Sequence, residues 1–496
     1  MLFNSYIFIF VFLPIVLLGF YAIGARGHHR VAIAWLVGAS LFFYDWWNSA
    51  YLGLILGSIL FNFATGVALG GHEPGFSRRW LLAFGIAGNI GLLGYFKYAN
   101  FFVDNISLVT GTDYHLEKIL LPLAISFFTF QQIAYLVDAY KGETREYNFL
   151  HYCLFVTFFP QLIAGPIVHH KEMLPQFARD RIYRLNYGHI AIGITIFSLG
   201  LFKKVVLADG VAVYATPVFE AAEAGAVLGI LEAWQGALAY TFQLYFDFSG
   251  YSDMAIGLAR MFGIKLPLNF NSPYKAGNII EFWRCWHMTL SRFLRDYLYI
   301  PLGGNRKGKS RRYINLMLTM VLGGLWHGAG WNFVIWGALH GFYLVVNHAW
   351  HGVLRSLNGA AHASTFMSRG MAKLVTFLAV VVAWVFFRAE SLPGAMHLLA
   401  AMVGANAELQ SGYDSDRVKM LVLLLLLVWY APNTQQIMIR YQPAFEIYKG
   451  ELKAWKYPWL QWRPSLIYAV ITAVLFMVSL KTMITVPESV FLYFNF

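Results

Sequence analysis

Charge is what this chain has least of. Of 496 residues only 12% are Asp, Glu, Lys or Arg, while 58% are hydrophobic and 18% aromatic. So few charges cannot cover several water-soluble domains, and so much apolar side chain excludes intrinsic disorder. Cysteine is nearly absent as well: two in the whole chain, which excludes a disulfide-stapled scaffold. Apart from 249–312, which is itself rich in apolar and aromatic residues, no interval between apolar runs exceeds about 35 residues, so a soluble nucleotide-binding or catalytic domain has no room. HExxH and GxSxG are also missing, and neither a P-loop nor a dinucleotide fingerprint occurs in strand context. What remains is an all-α, polytopic integral membrane protein whose chemistry must be done inside the membrane body.

Apolar runs near residues 5–24, 31–47, 51–70, 80–103, 119–137 and 148–168 are each about as long as a bilayer-crossing helix. More follow near 188–213, 225–248, 313–331, 332–350, 371–388, 419–431 and 465–482, predicting about eleven to thirteen membrane segments. The chain reads as one membrane-embedded domain over 1–496, with its motifs in 80–345 and C-terminal helices over 371–482. The net charge of +12 sits in short loops between these runs, which is the positive-inside pattern and not a nucleic-acid footprint. Arg26 and Arg30 follow the first run and nothing basic precedes it, placing the N-terminus outside. Arg78 and Arg79, then Lys141 and Arg145, keep the alternation, whereas the loop at Asp45 and Asn48 carries no positive charge.

The alternation breaks at 148–168. If that run crossed, Lys171, Arg179, Arg181 and Arg184 would fall outside; Pro160 and Gly165-Pro166 also interrupt its helical hydrogen bonding. A re-entrant hairpin resolves both conflicts, with a kinked full span as the alternative. The acidic stretch Pro487-Glu488, with no Lys or Arg after 481, puts the C-terminus outside too. Gly85, Gly88, Gly91 and Gly94 form a ridge on which another helix can pack.

Ionisable groups within a membrane mark functional candidates. Asp247 and Asp253 lie six residues apart, on opposite sides of a helix, so interhelical bonding is favoured over a paired acid/base site. Residues 281–297 read as one amphipathic helix with Arg284, His287, Arg292 and Arg295 on a basic face, and His287 within an aromatic cluster. The loop 303–312, with Arg306 and Lys307, suits either a positive-inside anchor or a cradle for the phosphates of a soluble donor. His327 comes 15 residues after Arg312, about 22 Å along a helix, followed by Gly-Ala-Gly and flanked by Trp326 and Trp331. A neutral imidazole is the side chain suited to proton transfer there. His287, His327 and His340 lack the Cys, Asp or Glu neighbours of a metal site, so no metal is expected. Cys285 leaves an acyl-cysteine open.

Several long stretches carry a resemblance. They are 94–101, Pro160 through Ile167, Gln243 through Gly257, Glu281 through His287, Leu294 through Arg306 and Gly323 through Gly328. In this order they resemble the membrane-bound O-acyltransferase family, in its bacterial exopolysaccharide branch, across nearly the whole chain. Cys285 departs from the arginine usual in that branch, which weakens an acyl-cysteine scheme.

The resemblance implies a ring of helices around a thin centre, with His327 as the essential histidine and His287 as the second embedded one. Trp326 and Asn332 would shape the cavity, and Arg295, Arg306 and Lys307 would meet the donor. It implies an inner-membrane O-acetyltransferase taking acetyl from cytoplasmic acetyl-CoA, with no permanently bound cofactor. A periplasmic serine-hydrolase-like partner would complete transfer to an exopolysaccharide such as alginate, the membrane lipid being the other partner. Cellulose acetylation, D-alanyl transfer to teichoic acid and polysaccharide or lipid transport are the alternatives.

Overall fold

A computed structural model describes residues 1–71, 77–144, 146, 148–358, 366–405, 414–448, 450–454, 457–485 and 489–495. Pro487-Glu488 and Arg145, used above for orientation, lie outside the described residues. Among the described residues the chain is helical throughout; its one β-type pairing is an isolated bridge between Pro267 and Phe445.

Among the described residues five helices are long and apolar enough to cross a membrane: Ala50–Gly70, Arg78–Thr110, Tyr187–Glu223, Arg369–Arg388 and Leu466–Thr485. Each falls on an expected run. Ile230–Met261, a helix of 32 residues, carries Asp247 and Asp253 and so is less apolar. The two runs expected at 313–331 and 332–350 are the helices Gly308–His327 and Trp331–Asn358, separated at the glycines 328 and 330. Leu392–Met402 is a helix with no counterpart among the expected segments.

The chain divides into two compact units: 1–202 with 251–268 and 438–495, and 203–250 with 269–437. In the first, the run 148–168 forms only Phe149–Thr157 and Phe159–Leu162. Nine residues at 1.5 Å each give about 13 Å, far short of the hydrocarbon thickness, so this segment does not span as one helix. Residues 152–170 are all buried. Their irregular backbone is satisfied by protein: the Phe159 N–H donates to Ser40 Oγ at 3.1 Å, and Gln131 and Gln161 both donate to the Phe155 carbonyl, at 2.6 and 2.8 Å. Non-helical backbone at membrane depth persists only under that condition. Of the glycine ridge, Gly85 and Gly88 do the packing; a Cβ there would sit 2.8 Å from Leu136 and 2.7 Å from Phe61, whereas Gly91 and Gly94 face open space.

In the second unit, the helices Gly308–His327 and Trp331–Asn358 pack almost backbone to backbone. A Cβ on Gly324 would meet the Phe333 carbonyl oxygen at 2.2 Å, and one on Gly337 the Met320 carbonyl oxygen at 2.3 Å. Backbone cannot yield as a side chain does, so both positions require glycine.

Candidate active site

The second unit gathers the two embedded histidines. His327 is the last residue of Gly308–His327, where the chain must turn: Gly328 is extended, and a Cβ on it would fall 2.1 Å from the Phe333 ring. The imidazole is 2% exposed. Trp326, Trp336 and Phe387 stand edge-on to it, with ring centroids at 4.9, 5.0 and 5.2 Å.

His287 is fully buried, and its ring centroid lies 6.4 Å from that of His327. The continuous amphipathic helix expected over 281–297 does not form. Asn278 caps a helix Ile279–Cys285 by accepting the Glu281 N–H, and a second helix, Met288–Leu294, begins after His287. His287 itself is left-handed, with φ +41°, a conformation costly for a residue with a Cβ. The segment 269–271 holds it there, through Asn271 N–H to the Cys285 carbonyl at 2.9 Å and Met288 N–H to the Asn269 carbonyl at 3.0 Å. Because of the break, Arg292 is buried and does not join an interfacial basic face.

Asn269 fixes the proton on His287. Its Oδ1 accepts from the Thr289 N–H at 3.3 Å and the Thr289 hydroxyl at 2.9 Å, so that atom is the amide oxygen. His287 Nδ1, 3.1 Å from the same oxygen, must therefore donate, and in the neutral ring Nε2 is the basic nitrogen. Phe248 closes the other side, edge-on at 4.7 Å. Asn269 carries no helical or motif signal in the sequence; only the fold reveals it.

Of the other expected site residues, Trp326 belongs to the chamber. Asn332 is buried and donates to the Ala389 carbonyl at 2.8 Å, tying the start of its helix to the end of Phe366–Arg388. Arg306 and Lys307 are exposed just before the first residue of Gly308–His327, so the 20-residue helix holds them about 30 Å from His327. Arg295 is exposed and pairs with Asp296 at 2.7 and 3.0 Å. These three cations are not brought to the histidines. His340, also buried, accepts from the Trp283 indole N–H at 3.3 Å and stands edge-on to Trp336 at 4.8 Å, behind the wall of the chamber. Asp247 takes no part: it forms a buried ion pair with Lys204 at 2.7 Å, and Lys204 also meets Asp209 at 2.8 Å. Neither cysteine is in a disulfide; Cys153 is buried and Cys285 half-buried.

Two buried imidazoles with ring centroids 6.4 Å apart, enclosed by aromatic rings, can take a proton from a hydroxyl and return it to a leaving group. Comparison with known proteins agrees with acyl transfer. The profile of the MBOAT, membrane-bound O-acyltransferase family matches residues 143–387. The chain is 43% identical to a peptidoglycan O-acetyltransferase of Helicobacter pylori, across 100% of this chain and 98% of that one. It is 45% identical to a probable alginate O-acetylase of Pseudomonas putida, across 82% of this chain and 80% of the other. A teichoic acid D-alanyltransferase of Streptococcus thermophilus is 29% identical over 49% of this chain and 60% of its own. With whole-length identity to one such enzyme, and with the paired histidines in a multi-pass helical body, the chain belongs to the membrane-bound O-acyltransferase family and is an acyltransferase.

Proposed function

We propose that the chain takes acetyl from a cytoplasmic thioester, acetyl-CoA, and passes it across the inner membrane for O-acetylation of a polysaccharide. The observation that carries this reading is the 6.4 Å approach of His287 and His327 inside one buried aromatic chamber. His327 acts as general base, taking the proton of an acceptor hydroxyl as its oxygen attacks the thioester carbonyl. The tetrahedral intermediate then expels the CoA thiolate, which receives that proton from the imidazolium. His287, its Nδ1–H held by Asn269, keeps Nε2 as a second basic nitrogen in the same aromatic cluster. An acyl-imidazole on His327 is the other route, and it needs the same neutral ring.

The acceptor is an extracytoplasmic polysaccharide, reached through a periplasmic serine-hydrolase-like partner. Exopolysaccharide such as alginate is supported by the Pseudomonas relative. Peptidoglycan is the second reading, favoured by the end-to-end match to the Helicobacter enzyme.

The purified full chain in nanodiscs, given labelled acetyl-CoA and an extract of periplasmic proteins, tests the donor and the base together. The His327→Ala protein is expected to lose transfer by roughly 10²–10⁴-fold while keeping its unfolding temperature within the range of a cavity substitution. Undiminished transfer by that variant overturns the catalytic assignment, and transfer from a D-alanyl thioester but not acetyl-CoA overturns the donor. Acetyl esters counted on exopolysaccharide and on muropeptides, from cells with and without the gene, decide the acceptor.

A further inference from the structure

Four cations in the first unit are held toward one cavity with no acid to meet them. Arg179 and Arg181 come from the short turn before Tyr187, Arg260 from the end of Ile230–Met261, and Lys265 from the loop beyond; with His189 they line a cavity of about 370 Å³. No Asp or Glu lines it. Asp180, the carboxylate between the two arginines, faces His29 at 3.5 Å instead. Among the described residues no ion pair and no side-chain hydrogen bond is made by any of the four. The Arg260 Nε–H is wholly enclosed and has no acceptor. Lys265 shows the strain: burial first, and then Arg260, Arg181 and Arg179, hold its ammonium below the ordinary lysine range.

The arrangement is built. Gln176, itself buried, accepts the Lys265 N–H and donates to the Lys265 carbonyl, each at 2.9 Å. Phe445 clamps the same loop, donating to the Leu266 carbonyl and accepting from the Leu268 N–H, each at 2.9 Å. The positive-inside rule asks for basic residues in a loop; it does not ask that three separated segments be pinned so that their cations repel one another around a hollow. Such a cluster is stabilised by an anion, and arginine forks match phosphate oxygens. An apolar cavity of about 1010 Å³ adjoins it along the same helices: its lining residues Leu185, Tyr187, Ile190 and Met261 alternate in sequence with Asn186, His189 and Arg260 of the cationic one.

We propose that Arg179, Arg181, Arg260 and Lys265 form a binding site for a phosphate group, of a phospholipid whose chains run along the apolar cavity or of a soluble phosphate-bearing ligand. Its test does not read acyl transfer.

The test uses the full chain in nanodiscs of phosphatidylcholine. In one arm phosphatidylglycerol is added and the lipid retained after release is counted by native mass spectrometry; in the other, free CoA is titrated calorimetrically. Retention or binding in either arm, weakened roughly tenfold or more by Arg181→Gln with Arg260→Gln and unchanged by Arg26→Gln, is the expected result, and the arm that responds names the source. Lys265→Gln carries the same test if the arginine variants fold poorly, because Gln176 holds the Lys265 backbone and not its side chain. Binding of neither probe, or equal binding by wild type and variants, overturns the proposal.

Discussion

Asn269 and His287 are joined at 3.1 Å through an oxygen that also receives both donors of Thr289. One amide thus sets the tautomer of the imidazole and anchors the helix that starts beside it. Asn269→Ala removes an acceptor from three buried donors, at about 1–3 kcal/mol for each left unmet. The expected outcome is a lower unfolding temperature and a kcat reduced about 10–100-fold, with the KM for acetyl donor nearly unchanged. Steady-state kinetics alongside thermal unfolding separate the two effects, and an unchanged kcat would show that the His287 tautomer does not matter to transfer.

Gly324→Ala places a methyl group 2.2 Å from the Phe333 carbonyl oxygen and 3.0 Å from Gly337 Cα. Two backbones must then separate at the hairpin that ends in His327. Overpacking of this kind costs about 1–3 kcal/mol. Activity measured at a temperature where the variant is fully folded should still fall, since the histidine is displaced; full activity there would mean the hairpin's closeness serves stability alone.

Lys204→Met leaves the buried Asp247 carboxylate, and Asp209 beside it, without their cation. Breaking a buried pair costs about 3–5 kcal/mol. Adding Asp247→Asn to that variant should recover much of the lost stability, because the uncompensated charge goes with it. Chemical denaturation of the two variants checks this, and a double variant no better than the single would place the loss in packing.

The loop at Glu146 should loosen in acid. Burial by itself pushes the Glu146 carboxyl up, but His170, the Asn148 N–H at 2.8 Å and His151 together hold it below the ordinary range. A depressed carboxyl contributes its full stability above the unfolded value of about 4.3 and loses it as pH falls through the folded value. The protection of the Asn148 and His151 amides, taken relative to their intrinsic exchange at each pH, should therefore be flat from neutrality to about pH 5 and fall below about pH 4. A Glu146→Gln protein should show the low protection at all pH values; undiminished protection would assign it to backbone alone.

The membrane body was legible because apolar run length is a local property: most of the expected segments coincide with helices, and the broken run at 148–168 announced itself through Pro160 and a charge conflict. His327 stood out through its Gly-Ala-Gly neighbourhood. The turn at His287 was not legible, since Glu281 through Tyr297 has helical periodicity to its end and only the hydrogen bonds to residues 269–271 break it. Lys204 and Asp247, 43 positions apart, and the cations at 179–181 and 260–265 belong to the same class: their meeting is decided by tertiary packing, which leaves no periodic trace.

Residues 152–170 present no surface of their own, and that governs the order in which the protein can be made. Phe158 and Phe159 close against Phe262, at 6.1 and 5.9 Å, a residue synthesised about a hundred positions later. Too short to insert alone, the segment must wait beside helices already in the bilayer until the chain has grown past that point. A nascent chain halted before residue 262 should hold this stretch open to protease or thiol reagents at Cys153, and one halted well after it should not.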